Sequence, residues 1–304
     1  MDLKTIEQRQ RILSKTVKRL RQKSHLPQGL VDLLGRVAEL QLDAAESVSI
    51  TLPEPDFREG SRRVARGGAL LTPDALPVDP DNACSLFSRI IEMIAEKPGE
   101  IPEPMVRAAE EIGAAVKAGT LDLRQAACEL LAGEDTLASA WAERTPDAPD
   151  ALRFLVLAAI QPSLGAAAET LATRLREEEA GEEIRRAGTC PICGSLPHLL
   201  ELREKEGVRF AACSLCRHEY RVRRMACPVC DTTDTDKMKF FTVVEEPGFR
   251  VETCGNCGTY MKTVDFRSMD GAPFLPLNDL ESLALDFLAA EQGFTRAAPS
   301  VWGI

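Results

Sequence analysis

The sequence predicts an α+β multidomain chain, with an all-α N-terminal domain, two tandem cysteine-built β modules and a C-terminal helix. Three observations predict it. Apolar residues recur at helical spacing over most of the first 180 positions. Eight of the ten cysteines fall between Cys190 and Cys257, all of them in Cys-x-x-Cys pairs. Between the pairs lie apolar runs of strand length around glycine-bearing turns. With 304 residues, 44% hydrophobic and 28% charged, the chain has a folded, soluble composition and room for two or three domains.

The balance of 47 acids against 37 bases gives a charge of −10, which argues against a general polyanion binder. No run reaches the 18–20 apolar residues of a membrane span. The best, residues 151–160, contains Arg153, so no membrane insertion is expected. The start of the chain lacks the apolar stretch of a signal peptide. A cytoplasmic location is therefore expected, where cysteines stay reduced and disulfides are rare.

The helical part reads as follows. Residues 2–24 space Leu3, Ile6, Leu13, Val17 and Leu20 among charges, as an exposed basic helix does. Pro27 suits the start of a second helix through Leu42. Residues 51–82 are punctuated by proline and glycine, and read as a long surface loop carrying Arg58, Arg62, Arg63 and Arg66, a candidate contact for an acidic partner. Helical patterns resume over 82–96, 102–117, 122–132, 136–142 and 150–179. Pro98-Gly99 separates the first two of these; Gly119 suits a helix end and Thr120 a following N-cap. Pro162 and Gly165 are expected to break the last stretch into a buried pair. Cys84 and Cys128 read as small buried apolar groups. Composition changes near Arg186-Ala187-Gly188-Thr189, giving a helical domain over 1–186, a first four-cysteine module over 187–225, and a second over 226–304 that includes the C-terminal helix.

Within 187–304 the pattern is Cys190/Cys193 and Cys213/Cys216, then Cys227/Cys230 and Cys254/Cys257. Each unit opens with Cys-Pro-x-Cys, and the openings lie 37 residues apart, an internal duplication. Two residues between cysteines let a tight turn aim both sulfurs at one ion, and two such turns supply a tetrahedron. The chain between them must go out and return, which hairpins at 199–202/208–211 and 239–244/249–253 accomplish, with third strands at 219–222 and 259–266. Gly194 and Gly258 follow second cysteines, where a positive φ is easily taken. These are rubredoxin-like or zinc-ribbon modules, too short of core to fold without a metal. Four thiolates suit zinc or iron, and a closed four-sulfur site leaves no open position for hydrolysis. Two such sites would take the formal charge to about −14. Arg217, Arg221, Arg223 and Arg224 would offset it or meet an acidic client. Among His25, His198 and His218, the last is read as an exposed strand residue. No phosphate loop and no Ser-His-Asp set can be read, and 5% aromatics are too few to stack on nucleic acid. An enzyme is not expected.

At the knuckles the chain resembles the formate dehydrogenase accessory protein family, FdhE. The resemblance rests on Cys190-Pro191-Ile192-Cys193-Gly194-Ser195-x-Pro197, Gly207-x-Arg209, Cys213-x-Leu215-Cys216 and Arg224-x-x-Cys227-x-x-Cys230. It continues through Glu252-Thr253-Cys254-x-x-Cys257-Gly258-Thr259-Tyr260-Met261-Lys262 and residues 278–286. Tyr220 departs from the tryptophan often found there. The resemblance implies a cytoplasmic, non-catalytic assembly factor that binds the catalytic subunit of respiratory formate dehydrogenase, with rubredoxin-like iron binding. It adds Tyr260 and Lys262 to the four arginines as candidate client contacts. Alternatives are a rubredoxin-like electron-transfer protein and a zinc-ribbon nucleic-acid binder. Homo-oligomerisation is left open.

Overall fold

The computed structural model describes residues 5–53, 57–96, 101–178, 187–244, 246–268 and 272–302. The chain forms two compact units. One comprises Met1–Thr51, Pro77–Ala166 and Trp302–Ile304, the other Leu52–Leu76 and Ala167–Val301. Leu3, Pro98-Gly99 and Arg186, used above to read the sequence, lie outside the described residues.

Eight helices precede the cysteines among the described residues: α1 (Ile6–Leu20), α2 (Gln28–Ala45), α3 (Phe57–Ala65), α4 (Pro80–Ala95), α5 (Glu103–Lys117), α6 (Leu123–Ala132), α7 (Thr136–Arg144) and α8 (Ala151–Glu178). Helix α1 is shorter than the expected 2–24 because Thr5 and Gln8 close a capping box at its start. It buries Leu13, Val17 and Leu20 and turns its bases outward. Asp79 caps α4 through Asp81 and Asn82 N–H. Gly119 does take positive φ, but Asp122, not Thr120, caps α6; the Thr120 hydroxyl turns back to the Ala115 carbonyl.

Three further expectations for this part are corrected. The 51–82 stretch is not one loop. It contains α3 and a 3-10 turn at Pro73–Ala75, because Leu70 and Val64 bury an amphipathic face that proline and glycine counts do not reveal. Helix α8 runs unbroken through Pro162. Proline leaves the Ala158 carbonyl without its helical donor, and the buried Gln41 side chain donates to it instead at 2.9 Å. That continuity makes one helix long and apolar enough to cross a membrane by length and composition, yet 78% of the stretch is buried within the fold. Cys84 and Cys128 are exposed, one on the outer face of α4 and one on that of α6.

The second unit is organised by one sheet. Strands β1 (Pro197–Arg203), β2 (Val208–Cys213) and β3 (Glu219–Arg221) come from the first module. Strands β4 (Met238–Phe241), β5 (Phe249–Cys254) and β6 (Thr259–Asp265) come from the second. The spatial order is β3-β2-β1-β6-β5-β4, with β7 (Thr295–Arg296) beside β6. Within each module pairing is antiparallel, as hairpins require. The modules join through a parallel pairing of β1 with β6, Leu200 opposite Thr263 and Leu202 opposite Asp265. The two central strands are buried at nearly every position, whereas β5 alternates. Helices α9 (Leu275–Glu281) and α10 (Leu283–Glu291) divide the expected C-terminal helix in two at Ser282. Leu275, Leu285 and Ala289 from them pack with Leu199, Val251, Tyr260 and Val264 into one core.

Candidate metal centres

The eight paired cysteines converge into two groups of four, Cys190, Cys193, Cys213 and Cys216, and Cys227, Cys230, Cys254 and Cys257. Within each group all ligand atoms lie within 4.8 Å of one another. Four sulfurs held about 2.3 Å from one ion stand about 3.8 Å apart at tetrahedral corners. Observed separations are 3.7 Å for Cys190–Cys216, 3.5 Å for Cys193–Cys213, and 3.7 Å for both Cys227–Cys257 and Cys230–Cys254. A disulfide requires about 2.05 Å, so these are free thiols spaced as ligands. The donor set fits a tetrahedral thiophilic ion, and each cluster could hold one.

Local backbone geometry produces this arrangement. The residue after each second cysteine, Gly194, Arg217, Asp231 or Gly258, adopts positive φ near 58–78°. That turn sends the chain away and leaves both sulfurs on one side. Sequence reading found only the two glycines. Arg217 and Asp231 show that the knuckle dictates the conformation even where a side chain resists it. Backbone N–H groups of Ile192, Leu215 and Val229 point at the sulfurs of Cys190, Cys213 and Cys227 at 3.4 Å. Asn256 Nδ2 stands 3.3 Å from Cys230 Sγ, and Thr259 Oγ1 stands 3.0 Å from Cys257 Sγ. Such donors favour thiolates.

Burial pushes the Cys190 thiol well above its usual range, while hydrogen bonds from Cys190, Cys213 and Cys216 hold Cys193 well below. A bound cation resolves that conflict by stabilising all four thiolates together.

The candidate client residues divide. Arg217 is half-buried beside Cys216, and Arg221 is partly exposed on β3. Arg223 pairs with Asp231, and exposed Arg224 donates to the Glu206 carbonyl at 2.8 Å. Tyr260 and Lys262 point inward, which corrects their reading as surface contacts. Lys262 is 1% exposed and lies 2.7 Å from Asp279 and 2.6 Å from Asp286. Tyr260 donates to Asp286 at 2.8 Å, and Arg296 reaches Asp279 at 2.6 Å. Against the effect of burial, Lys262 and Arg296 keep the Asp279 carboxyl below the usual carboxylate range. These groups fasten α9, α10 and β7 to β6. His198, buried in the sheet, is brought down to about 4 by burial, and His218 is half-buried and stacked near Tyr220. Sequence reading assigned no role to Arg209. Its guanidinium donates to the Ala226 carbonyl at 2.8 Å and pairs with Glu252, bracing one module against the other.

Comparisons with known proteins agree with this geometry. Residues 189–224 match a family model described as "FdhE, central domain", and residues 212–302 one described as "FdhE, C-terminal domain". A protein from Aquifex aeolicus named "Protein FdhE homolog" is 32% identical over 157 residues, covering 51% of this chain and 53% of that one. "Protein FdhE" from Salmonella dublin is 29% identical over 208 residues, 68% of this chain and 61% of its own. The chain thus spans about half to three fifths of these curated relatives. The crystal structure of the FdhE protein from Pseudomonas aeruginosa superposes with a TM-score of 0.65 at 23% identity, covering 96% of this chain and 95% of that one, and so shares the fold.

Proposed function

Because the chain belongs to the FdhE family through residues 189–302, we propose that it is a non-catalytic assembly factor for respiratory formate dehydrogenase, binding the catalytic subunit in the cytoplasm. The observation that carries the reading is the pair of tetrahedral sulfur clusters set in one sheet. Cys190, Cys193, Cys213 and Cys216 hold one ion in this reading, and Cys227, Cys230, Cys254 and Cys257 the other. The ions are iron or zinc, and what they supply when bound is structural closure, since four thiolates leave no site for a substrate. Residues 1–186 are the helical part, and 187–225 and 226–304 the two modules. Arg221 and Arg224, which reach solvent and lie in sequence between the closing knuckle of the first module and the opening knuckle of the second, are the contacts offered to an acidic patch on the client.

Deletion of the gene in its native host tests this. Formate dehydrogenase activity should vanish while the mRNA of its catalytic subunit persists, and the subunit should co-purify with a tagged chain. Full activity in the deletion strain would overturn the proposal. One observation favours a second reading, electron transfer of rubredoxin type: Cys230 and Cys257 are partly exposed. A protein isolated from cells with zinc alone, without visible absorption bleached by a reductant, removes it.

A further inference from the structure

We propose that the two sulfur clusters are unequal, the second being an exchangeable metal site open to soft ligands and the first a site locked by a segment from outside its own module. This rests on the reading of both clusters as metal sites. In the first cluster the four cysteines are at most 1% exposed. In the second, Cys230 and Cys257 reach solvent, and the turn between them and the surface consists of exposed Gly255, Asn256 and Gly258.

The difference has a visible cause. Segment 67–71, which precedes the first knuckle by more than a hundred residues, lies along it. Leu70 N–H donates to the Pro191 carbonyl at 2.8 Å and Leu71 N–H to the Ile192 carbonyl at 2.9 Å. A Cβ placed on Gly194 would touch Ala69 at 3.5 Å, so that segment closes over the turn. Arg63 in turn pins the segment, donating to the Ala69 and Leu70 carbonyls at 2.6 Å each. Leu70 is 1% exposed. The closing knuckle of the second module is touched by Lys237, whose carbonyl accepts from Gly255 N–H at 2.7 Å, and by Thr295, whose N–H donates to the Gly258 carbonyl at 3.0 Å, but Gly255, Asn256 and Gly258 stay exposed beneath these contacts. A competing thiolate or chelator reaches a bound ion only past the sulfurs that face solvent. At the second cluster that path exists in the native state; at the first it requires the segment to lift, a local opening with its own free energy.

The test uses the full chain loaded with two Zn2+. A chromogenic chelator in excess should draw out zinc in two phases of equal amplitude, with rates differing about tenfold or more. Cys230→Ser with Cys257→Ser should remove the fast phase. Leu70→Ala should accelerate the slow phase about tenfold and leave the fast one unchanged. On the unaltered protein, limited alkylation mapped by mass spectrometry should label Cys230 and Cys257 before any cysteine of the first cluster, a result independent of how the variants fold. A single release phase, or early labelling of Cys190, Cys193, Cys213 or Cys216, overturns the inequality while leaving both metal sites intact. A chain that takes up no zinc overturns the metal reading and this inference with it.

Discussion

Replacing Lys262 with methionine removes one positive charge from a buried group of two cations and two anions. Lys262 Nζ stands 2.7 Å from Asp279, 2.6 Å from Asp286 and 2.8 Å from the Asp279 carbonyl, near the end of α9. Arg296 remains, 2.6 Å from Asp279 and 3.6 Å from Asp286, and faces both carboxylates alone. Breaking a buried ion pair by removing one partner costs about 3–5 kcal/mol. Arg296 still holds Asp279, and Asp286 is 16% exposed, which places the loss near the lower end, about 3 kcal/mol. With a urea dependence of about 2 kcal/mol per molar, the midpoint should fall by about 1.5 M. The assay is urea titration of the cobalt-loaded chain, read by the cobalt–thiolate absorption, which reports the sheet unit alone. Adding Asp286→Asn restores one cation to one anion and should recover more than half of the loss. A midpoint shift under about 0.3 M, or no recovery in the double variant, would refute the assigned role of the network.

Three further outcomes are expected. Gln41→Leu leaves the Ala158 carbonyl unsatisfied and should destabilise the helical unit by about 1–3 kcal/mol, but by less in a Pro162→Ala background, where the restored N–H reaches that carbonyl. Fluorescence of Trp141 and Trp302, the chain's two tryptophans and both in that unit, gives the readout. Hydrogen bonds from Asn82 and Ser49 N–H hold the Asp79 carboxyl below its ordinary 3.8. Its stabilisation is therefore present above about pH 4 and lost as pH falls through the lower, folded value. Thermal melts between pH 5 and pH 3 should decline more steeply for the native chain than for Asp79→Asn, and parallel curves would count against the cap. Gly188→Ala would place a Cβ 2.0 Å from the Pro228 carbonyl oxygen, against backbone atoms with no flexible group to yield. Elemental analysis should then find about one ion per chain instead of two.

The cysteine spacing made both clusters, their six strands and their hairpins legible, because the ligand geometry leaves the chain few routes between turns. The other helices before the cysteines were legible from apolar spacing, whereas α3 was hidden among the prolines and glycines of 51–82. Local rules failed where a distant partner decides. Pro162 signals a break, and only Gln41, far away in sequence, explains its absence. The Lys262 network was hidden for the same reason. Asp279 and Asp286 stand in the tail that resembles the family, but nothing local says that they face a lysine on β6. Exposure of Cys84 and Cys128 was misread because composition alone ranks cysteine among buried residues.

The duplicated modules look separable in sequence, yet the sheet makes them one folding body. Leu199, Leu200 and Leu202 on β1 and Val264 on β6 are wholly buried, these two strands pair in parallel at the centre of the sheet, and Leu199 and Val264 share one core. Arg209 of the first module satisfies Glu252 of the second and the carbonyls of the link between them. Cutting the chain between the modules therefore exposes two strand edges and strands a buried arginine and a half-buried glutamate, losses that binding one ion must offset on each side. Residues 187–225 and 226–302 made separately should bind zinc weakly and show no fixed near-ultraviolet signal from Tyr220 or Tyr260, whereas the two mixed or joined should regain it. Native-like spectra from either half alone would show that each cluster folds its own module, and that the shared sheet is a consequence of duplication without a part in stability.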